Sequence, residues 1–193
     1  MDMGTHALDA LEFLVGPIAE VASSLLKTSV PSRPDPTSPG TRGAVDTDDT
    51  AMVGLRFANG AVGTMVASRI AAGIPVDLAV EVFGSGGHVR FSFEEMSYYT
   101  LYQTGANTPP TDGPRRIIPG PEAPHFANVM PMCFRGNPTG YGEAFIAETQ
   151  DFVRAILTGT QMDTDFATAT RTMLAAQAAI DSSVTERPVV LTH

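Results

Sequence analysis

The sequence predicts an α+β fold, with a predominantly antiparallel open sheet and helices packed on one face. Three observations lead to this expectation. A helical period near the N-terminus gives way to a period of two over residues 48–103, and helices return after residue 141. Strands and helices come in runs and do not alternate singly, which disfavours a parallel βαβ sheet. With 193 residues the chain is long enough to bury a core.

The first elements have clear start and stop signals. Apolar residues recur at helical spacing over residues 4–15, and Gly16-Pro17 ends that helix. Residues 18–30 are rich in Val, Ile and Leu and predict a strand. Residues 31–43 contain four prolines and two glycines, which predicts a loop.

Hairpins follow. Residues 51–70 alternate around Asn59-Gly60, a turn pair that favours positive φ. Residues 76–93 show the same pattern around Gly86-Gly87. Further strands are predicted at 97–103, 115–118 and 189–191, and helices at 142–158 and 165–183, with a segment rich in proline and glycine at 104–140.

The strand after Asn59-Gly60 has no polar face. One row holds Val62, Thr64 and Val66, and the other holds Ala61, Gly63, Met65 and Ala67. A sheet with one solvated face is more polar on its outer row, so both faces are expected to be covered. We expect the helices to cover one face and the row of Met65 to form a homodimer or tetramer contact.

Composition excludes several classes of function. Twelve Lys and Arg against 21 Asp and Glu give a net charge of −9, and Lys27 is the only lysine, which disfavours nucleic acid and anionic membranes as partners. The single cysteine, Cys133, excludes an internal disulfide and a cysteine-based zinc site. Without a long apolar run or a cationic leader, the expected location is the cytoplasm.

The first helix carries the main chemical signal. Asp2, His6 and Asp9 are spaced four and three residues apart and therefore share one stripe, opposite the apolar residues Leu8 and Leu11. This stripe is either a solvated helix face or the wall of a cleft completed by something outside the chain. A histidine one turn from a carboxylate is suited to proton transfer.

Residues 2–9, DMGTHALD, resemble the D-x-G-x-H-x-x-D segment of the Gfo/Idh/MocA family of NAD(P)-dependent oxidoreductases. Residues 48–69, 80–91 and 143–159 are similar to the C-terminal domain of that family in order and spacing. The resemblance covers nearly the whole chain. It implies a substrate-binding and oligomerisation domain over residues 1–193, which follows an N-terminal Rossmann domain in the family.

The resemblance also implies roles for individual residues. His6 matches the acid/base on the reacting hydroxyl of a sugar, polyol or related compound, and Asp2 matches the aspartate that positions substrate or histidine. Asp9 matches the last motif position, where a structural role is expected. NAD or NADP is implied for the intact parent, whose Rossmann domain supplies a lysine from an E-K-P segment. The sequence has no such segment, and Gly84-Ser85-Gly86-Gly87 is predicted to be a turn between strands.

Three further residues are candidates for substrate binding. Arg69 follows a hairpin strand, and Tyr141 and Phe145 open a late helix, at places where the family contacts substrate. The alternatives are an ordinary exposed arginine at position 69 and core packing of Phe145. Asp46, Asp48 and Asp49 lack the glycine and distal Glu of a calcium loop and are expected to lie in a solvated strand entrance.

The leading hypothesis is therefore the substrate-binding half of an NAD(P)-dependent oxidoreductase that is not redox-competent alone. A non-catalytic binding or assembly protein that retains this domain is the alternative. A small metal-dependent enzyme using Asp2, His6 and another histidine is a third possibility.

The chain alone is expected not to bind NAD(H) or NADP(H) appreciably, because no strand-loop-helix of G-x-G-x-x-G type is present to hold a pyrophosphate. Isothermal titration calorimetry measures this directly. A dissociation constant in the low micromolar range for either dinucleotide would contradict the prediction.

Overall fold

The computed structural model describes residues 2–106, 110–126, 129 and 136–192, with the backbone but not the side chain of Asp2. The chain divides into two compact units. The first unit comprises Met1–Pro75 and Phe166–His193, and the second comprises Val76–Asp165. Each unit has its own sheet, and each has at least one long helix.

The described residues form three α-helices and ten strands. The helices are α1 (Asp2–Val15), α2 (Tyr141–Thr158) and α3 (Phe166–Thr185). The strands are β1 (Ile18–Lys27), β2 (Ser32–Pro34), β3 (Arg42–Ala44), β4 (Thr50–Phe57), β5 (Val62–Ser68), β6 (Ala79–Gly84), β7 (Gly87–Ser92), β8 (Tyr99–Gln103), β9 (Arg115–Ile117) and β10 (Val189–Val190). The predicted α+β class with antiparallel sheets is confirmed.

The first unit is built on a four-stranded sheet in the order β10-β1-β4-β5. Its pairings are antiparallel, and β4 and β5 are joined by the predicted turn at Asn59 and Gly60. Gly60 adopts φ of 87°, a backbone conformation that residues other than glycine rarely adopt. Strands β2 and β3 form a separate short hairpin within the segment predicted to be a loop.

Helices α1 and α3 cover one face of this sheet. Leu8 of α1 is 1% exposed and packs against strand residues such as Val53 and Leu55. The face that α3 contributes to the core is lined by four alanines, Ala175, Ala176, Ala178 and Ala179. Because these side chains are small, α3 can lie close to both β1 and α1.

The C-terminal end of α1 is tied to the sheet by two side chains. Glu12 accepts a hydrogen bond at Oε1 from the Ile18 backbone N–H, at 3.1 Å. Asn59, in the β4–β5 turn, donates from Nδ2 to the Val15 carbonyl at 2.8 Å and accepts from the Ala61 N–H at 3.0 Å. The end of α1 is therefore hydrogen-bonded both to the start of β1 and to the β4–β5 turn.

The predicted assignment of the two rows on β5 was wrong. Met65 is 5% exposed and lies in the core with Leu8, whereas Val62 and Val66 are 73% and 64% exposed. The row with Met65 thus faces the helices, and the row with Val62 and Val66 forms the uncovered face. Since both rows are apolar, the sequence pattern does not distinguish the buried row from the exposed one.

The second unit contains the four-stranded antiparallel sheet β6-β7-β8-β9 and helix α2. The turn between β6 and β7 requires glycine at Gly87, where a Cβ atom would lie 1.9 Å from the Tyr102 carbonyl oxygen. Helix α2 begins after Gly140, whose N–H donates to the Glu143 carboxylate at 2.9 Å. It packs through Ala147 against Val129 and Phe126.

None of the helices in the described part of the chain combines the length and the apolar content needed to cross a bilayer.

Met65→Glu is expected to destabilise the fold by about 2–5 kcal/mol, because it removes a core side chain and buries a charge. Val66→Glu places the same charge on the neighbouring residue, which is 64% exposed in the single chain, and should cost the folding of that chain less than about 1 kcal/mol. Urea denaturation followed by circular dichroism compares the two variants. Equal losses of stability would contradict the observed arrangement of the two rows.

Candidate functional site

His6 lies on the exposed side of α1, opposite the core residue Leu8. Within the part of the chain that the structure describes, no hydrogen bond or ion pair involves its imidazole. Asp9, three residues later, is also exposed, and its Oδ1 lies 3.4 Å from the Thr172 hydroxyl of α3. This contact supports the structural role expected for Asp9. The side chain of Asp2 lies outside the described residues.

A cleft opens beside the first turn of α1. It is small, with a cavity volume of about 30 Å³. Its lining includes four polar or charged residues, Asp48, Asp49, Ser68 and Arg69. The remaining lining comes from α1, the sheet and α3: Met3, Gly4, Leu8, Leu26, Ala51, Val53, Met65, Ala67, Ala176 and Ala179. His6 does not line the cleft, but it lies less than one helical turn beyond Met3 and Gly4, which do.

Asp49 fixes the segment at the edge of this cleft. Its carboxylate accepts hydrogen bonds from the backbone N–H groups of Val30 at 2.7 Å and Ser29 at 2.9 Å. It also pairs with the Arg33 guanidinium at 2.6 Å. The hydrogen bond from Val30, with those from Ser29 and Arg33, lowers the pKa of the Asp49 carboxyl below its ordinary value of 3.8, although burial opposes this.

The expectation of a solvated strand entrance is wrong for Asp49, which is 3% exposed, whereas Asp46 is exposed and Asp48 is half-buried. The partners of Asp49 are 16 to 20 residues away along the chain, so no local pattern indicated its burial. A carboxylate at the start of a predicted strand, facing a long polar loop, is the weak signal that was available.

Arg69 is held in place through the same aspartate. Its backbone N–H donates to the Asp49 carbonyl at 2.9 Å, at the end of β5. The neighbouring Ser68 hydroxyl lies 3.3 Å from the Thr50 hydroxyl. The structure thus brings Arg69, the start of α1 and the Asp49-bound segment to one cleft.

Tyr141 and Phe145 belong to the second unit, where they extend a row of aromatic rings. Phe93 meets Tyr141 edge-on with ring centroids 5.5 Å apart, and Tyr141 stacks on Phe145 at 6.4 Å. Phe91 contacts Phe93 at 5.7 Å. Phe145 is 62% exposed, so the alternative of core packing does not apply to it within this unit.

The other histidines in the described residues have local partners. His88 Nε2 lies 2.9 Å from Glu81, and its ring stacks on Phe83. His125 Nδ1 lies 2.6 Å from Asp151, an interaction that the sequence did not suggest. Arg154 donates to the other oxygen of Asp151 at 3.0 Å.

Among the residues whose side chains are described, no group of three His, Cys, Asp or Glu is placed to hold a metal ion. Asp2, which the metal-dependent hypothesis needs, and Cys133 lie outside that set. Gly84 to Gly87 form the β6–β7 turn between antiparallel strands, as predicted. This turn precedes no helix and does not resemble a pyrophosphate-binding loop.

Comparison with known proteins agrees with this architecture. Residues 1–90 match the family model described as GFO/IDH/MocA C-terminal domain. Over that range the chain is a GFO/IDH/MocA C-terminal domain. The match contains the helix with His6, the cleft residues around Arg69 and most of the β6–β7 hairpin.

Levoglucosan dehydrogenase of Pseudarthrobacter phenanthrenivorans is 31% identical to this chain over 196 residues. The match covers 96% of the chain and 49% of the relative, so the chain spans about half the length of that curated relative. A solved levoglucosan dehydrogenase in complex with NADH superposes with a TM-score of 0.90 at 31% identity, over 100% of this chain and 49% of that one. An oxidoreductase domain protein from Kribbella flavida gives a TM-score of 0.89 at 33% identity, with the same coverages.

Asp49→Asn is expected to loosen residues 28–46, because the amide is a weaker acceptor for two N–H groups and one guanidinium. Protonation of Asp49 at acidic pH should also loosen residues 28–46 in the wild type. A carboxyl whose pKa is lowered by folding stabilises the native state above its ordinary value of 3.8 and loses that contribution as the pH falls through the lowered value.

Amide hydrogen exchange read by mass spectrometry checks both effects. Peptides covering residues 28–46 should exchange faster in Asp49→Asn at neutral pH, whereas Asp46→Asn, at an exposed position, should leave them unchanged. Equal protection in the two variants would contradict the role of Asp49.

Proposed function

We propose that this chain is the substrate-binding and oligomerisation half, residues 1–193, of an NAD(P)-dependent oxidoreductase acting on a sugar, polyol or related hydroxy compound. The observation that supports it most is the exposed imidazole of His6, on a helix that lies within the family match and contributes to a cleft that charged residues also line. Solved structures of levoglucosan dehydrogenase similar to this chain include complexes with NADH and levoglucosan and with NADH and L-sorbose.

His6 is the proposed acid/base. In the oxidative direction its imidazole would take the proton of the substrate hydroxyl, a carbonyl would form, and the hydrogen on the same carbon would leave as hydride to the oxidised NAD(P) that the intact protein would bind. An imidazole suits this role because its protonation changes near neutral pH. Asp2, one turn earlier on α1, is proposed to orient the imidazole or the substrate.

Arg69 is proposed to bind substrate hydroxyls at the cleft. Its guanidinium offers donors, and Asp48, which lines the same cleft, offers acceptors, which together match the donor and acceptor character of a hydroxyl group. Tyr141 and Phe145 are proposed to supply an aromatic surface for the apolar C–H face of a sugar ring. Their exposure of 50% and 62% leaves ring faces accessible for such stacking.

The residues of this chain do not fit a dinucleotide. The glycines at 84–87 form a hairpin turn, and no described strand leads through a glycine-rich loop into a helix. NAD or NADP is therefore proposed to bind to an N-terminal Rossmann domain of the intact protein, which would pair with this chain as its partner. The chain's own contribution is binding, orientation and proton transfer.

Self-association through the first sheet is proposed as well, on the face opposite α1 and α3. Leu25, Met52 and Val66 pair across β1, β4 and β5 and are 71%, 52% and 64% exposed. Three adjacent apolar side chains on a regular sheet face suit packing against the same face of a second copy. A homodimer or tetramer would bury them.

His6→Ala in the intact parent protein is expected to lower kcat by about 10²–10⁴-fold, the range expected for loss of a general acid/base. Dinucleotide affinity should stay nearly unchanged, since the dinucleotide is held elsewhere. Steady-state kinetics and a separate binding titration measure the two quantities.

His125→Ala is the matched control, because it removes an exposed histidine that pairs with Asp151 in the second unit. It should retain most of the wild-type turnover. If His6→Ala keeps more than about half of the wild-type kcat, His6 is not the acid/base. A parent protein without turnover on any hydroxy compound would favour the non-catalytic binding or assembly protein.

Met52→Glu is expected to dissociate the assembly, because it places a charge at the centre of the exposed apolar row. Light scattering at tens of micromolar protein gives the mass. Val184→Glu, which changes an exposed valine of α3, should leave the mass unchanged. A wild-type chain that scatters as a 20.3 kDa monomer would contradict the proposal.

A further inference from the structure

We propose that Thr172 of α3 is a positioning residue for His6: its buried hydroxyl keeps the Asp9 carboxylate on α3 and so keeps it away from the imidazole. The inference rests on the proposed acid/base role of His6. Thr172 is more than 160 residues from the motif along the sequence, but its helix α3 packs beside α1.

The Thr172 hydroxyl lies at the contact between two helices. The residue is 5% exposed, and its Oγ1 is 3.4 Å from Asp9 Oδ1 and 3.4 Å from Glu12 Oε2. The Thr168 carbonyl of its own helix is 3.3 Å away. A hydroxyl has one proton to donate, so it is shared among these acceptors. Both carboxylates of α1 thus turn toward the same point on α3.

Asp9 has a second partner within reach. Residues three apart on a helix have Cβ atoms about 5–6 Å from each other, which lets a carboxylate and an imidazole at these positions pair. His6 and Asp9 are such residues, and the sequence places them on one stripe. In the structure Asp9 contacts Thr172 and forms no hydrogen bond with His6.

The neighbouring charged groups have other contacts. Glu12 uses its second oxygen, Oε1, to accept from the Ile18 N–H at 3.1 Å. Arg171, adjacent to Thr172, donates to the Thr168 hydroxyl at 3.1 Å. The Thr172 hydroxyl is therefore the group of α3 that the described contacts place against Asp9.

The choice of partner matters for proton transfer. Asp2 is already proposed as the carboxylate that can orient the ring through one nitrogen. A second carboxylate docked on His6 would occupy the other nitrogen and favour the imidazolium, which is unable to accept the substrate proton. A hydroxyl that holds Asp9 on α3 leaves the ring free for substrate. Thr172 would in this way influence the reaction without touching the reacting atoms.

The test measures the protonated fraction of the His6 ring in the 15N-labelled chain near pH 6.5, where an ordinary imidazole is about half protonated. Ring 15N chemical shifts report this fraction, and His125 serves as an internal reference. Thr172→Val removes the hydroxyl at nearly constant volume and should increase the ratio of protonated to neutral His6 by about 1.5- to 2-fold, as expected for an exposed helical pair. Thr172→Ser keeps the hydroxyl and should match the wild type.

Asp9→Asn decides between the two possible partners. Added to Thr172→Val it should restore the wild-type ratio, and alone it should change little. A marked fall in protonated His6 on Asp9→Asn alone would show that Asp9 already pairs with His6 and would overturn the proposal, even if Thr172→Val does not fold. An unchanged ratio in a folded Thr172→Val chain would overturn it too.

These readouts concern the state of the ring and do not depend on turnover. If the His6→Ala parent keeps its activity while Thr172→Val shifts the ratio, the acid/base role fails but the contact from Thr172 to Asp9 is supported. If His6→Ala loses activity while the ratio does not move, the acid/base role stands and the positioning role fails.

Discussion

The close approach of α3 to its neighbours is the constraint on which the first unit depends. The buried residues of α3 are all small: Thr172, Ala175, Ala176, Ala178, Ala179 and Ser182. Ala175 and Ala176 are 0% and 1% exposed, so a longer side chain at either place would push the helix away from β1 and α1. The position of α1 follows from this packing, and with it the direction of His6. The proposed acid/base on α1 is thus placed by alanines far away in the sequence.

Local signals account for what the sequence predicted well. The bounds of α1, of the hairpin around Asn59-Gly60 and of α2 follow from helical spacing, turn chemistry and glycine stops, all of which act within a few residues. The family resemblance rested on the same short segments, and the family match supports it. These features need no knowledge of which surfaces meet.

Contacts between residues far apart in the sequence account for the features that the sequence did not predict. The two rows of β5 are equally apolar, so only the docking of α1 and α3 determines that Met65 is buried. In the sequence, Asp49 does not differ from other aspartates that precede a strand. Its hydrogen bonds from Ser29, Val30 and Arg33 form only in the folded chain. The partner of Asp9 is 163 residues away, so a stripe drawn on one helix does not reveal where its carboxylate turns. The sequence therefore indicates which residues are candidates for the site, but not how they are arranged in space.

The hairpin tip at Asn59 has a consequence for how this domain can change. Exposed hairpin tips are usually the places where proteins accept inserted residues, because nothing else depends on them. Here the side chain of Asn59 is bonded to the last turn of α1, and the N–H of Ala58 donates to the Pro17 carbonyl that follows the helix. An insertion at this turn would move the end of the helix as well as lengthen the loop. We therefore expect length variation to be accepted more readily at the tip of the β2–β3 hairpin, whose turn is closed by its own residues between Asp35 and Thr41.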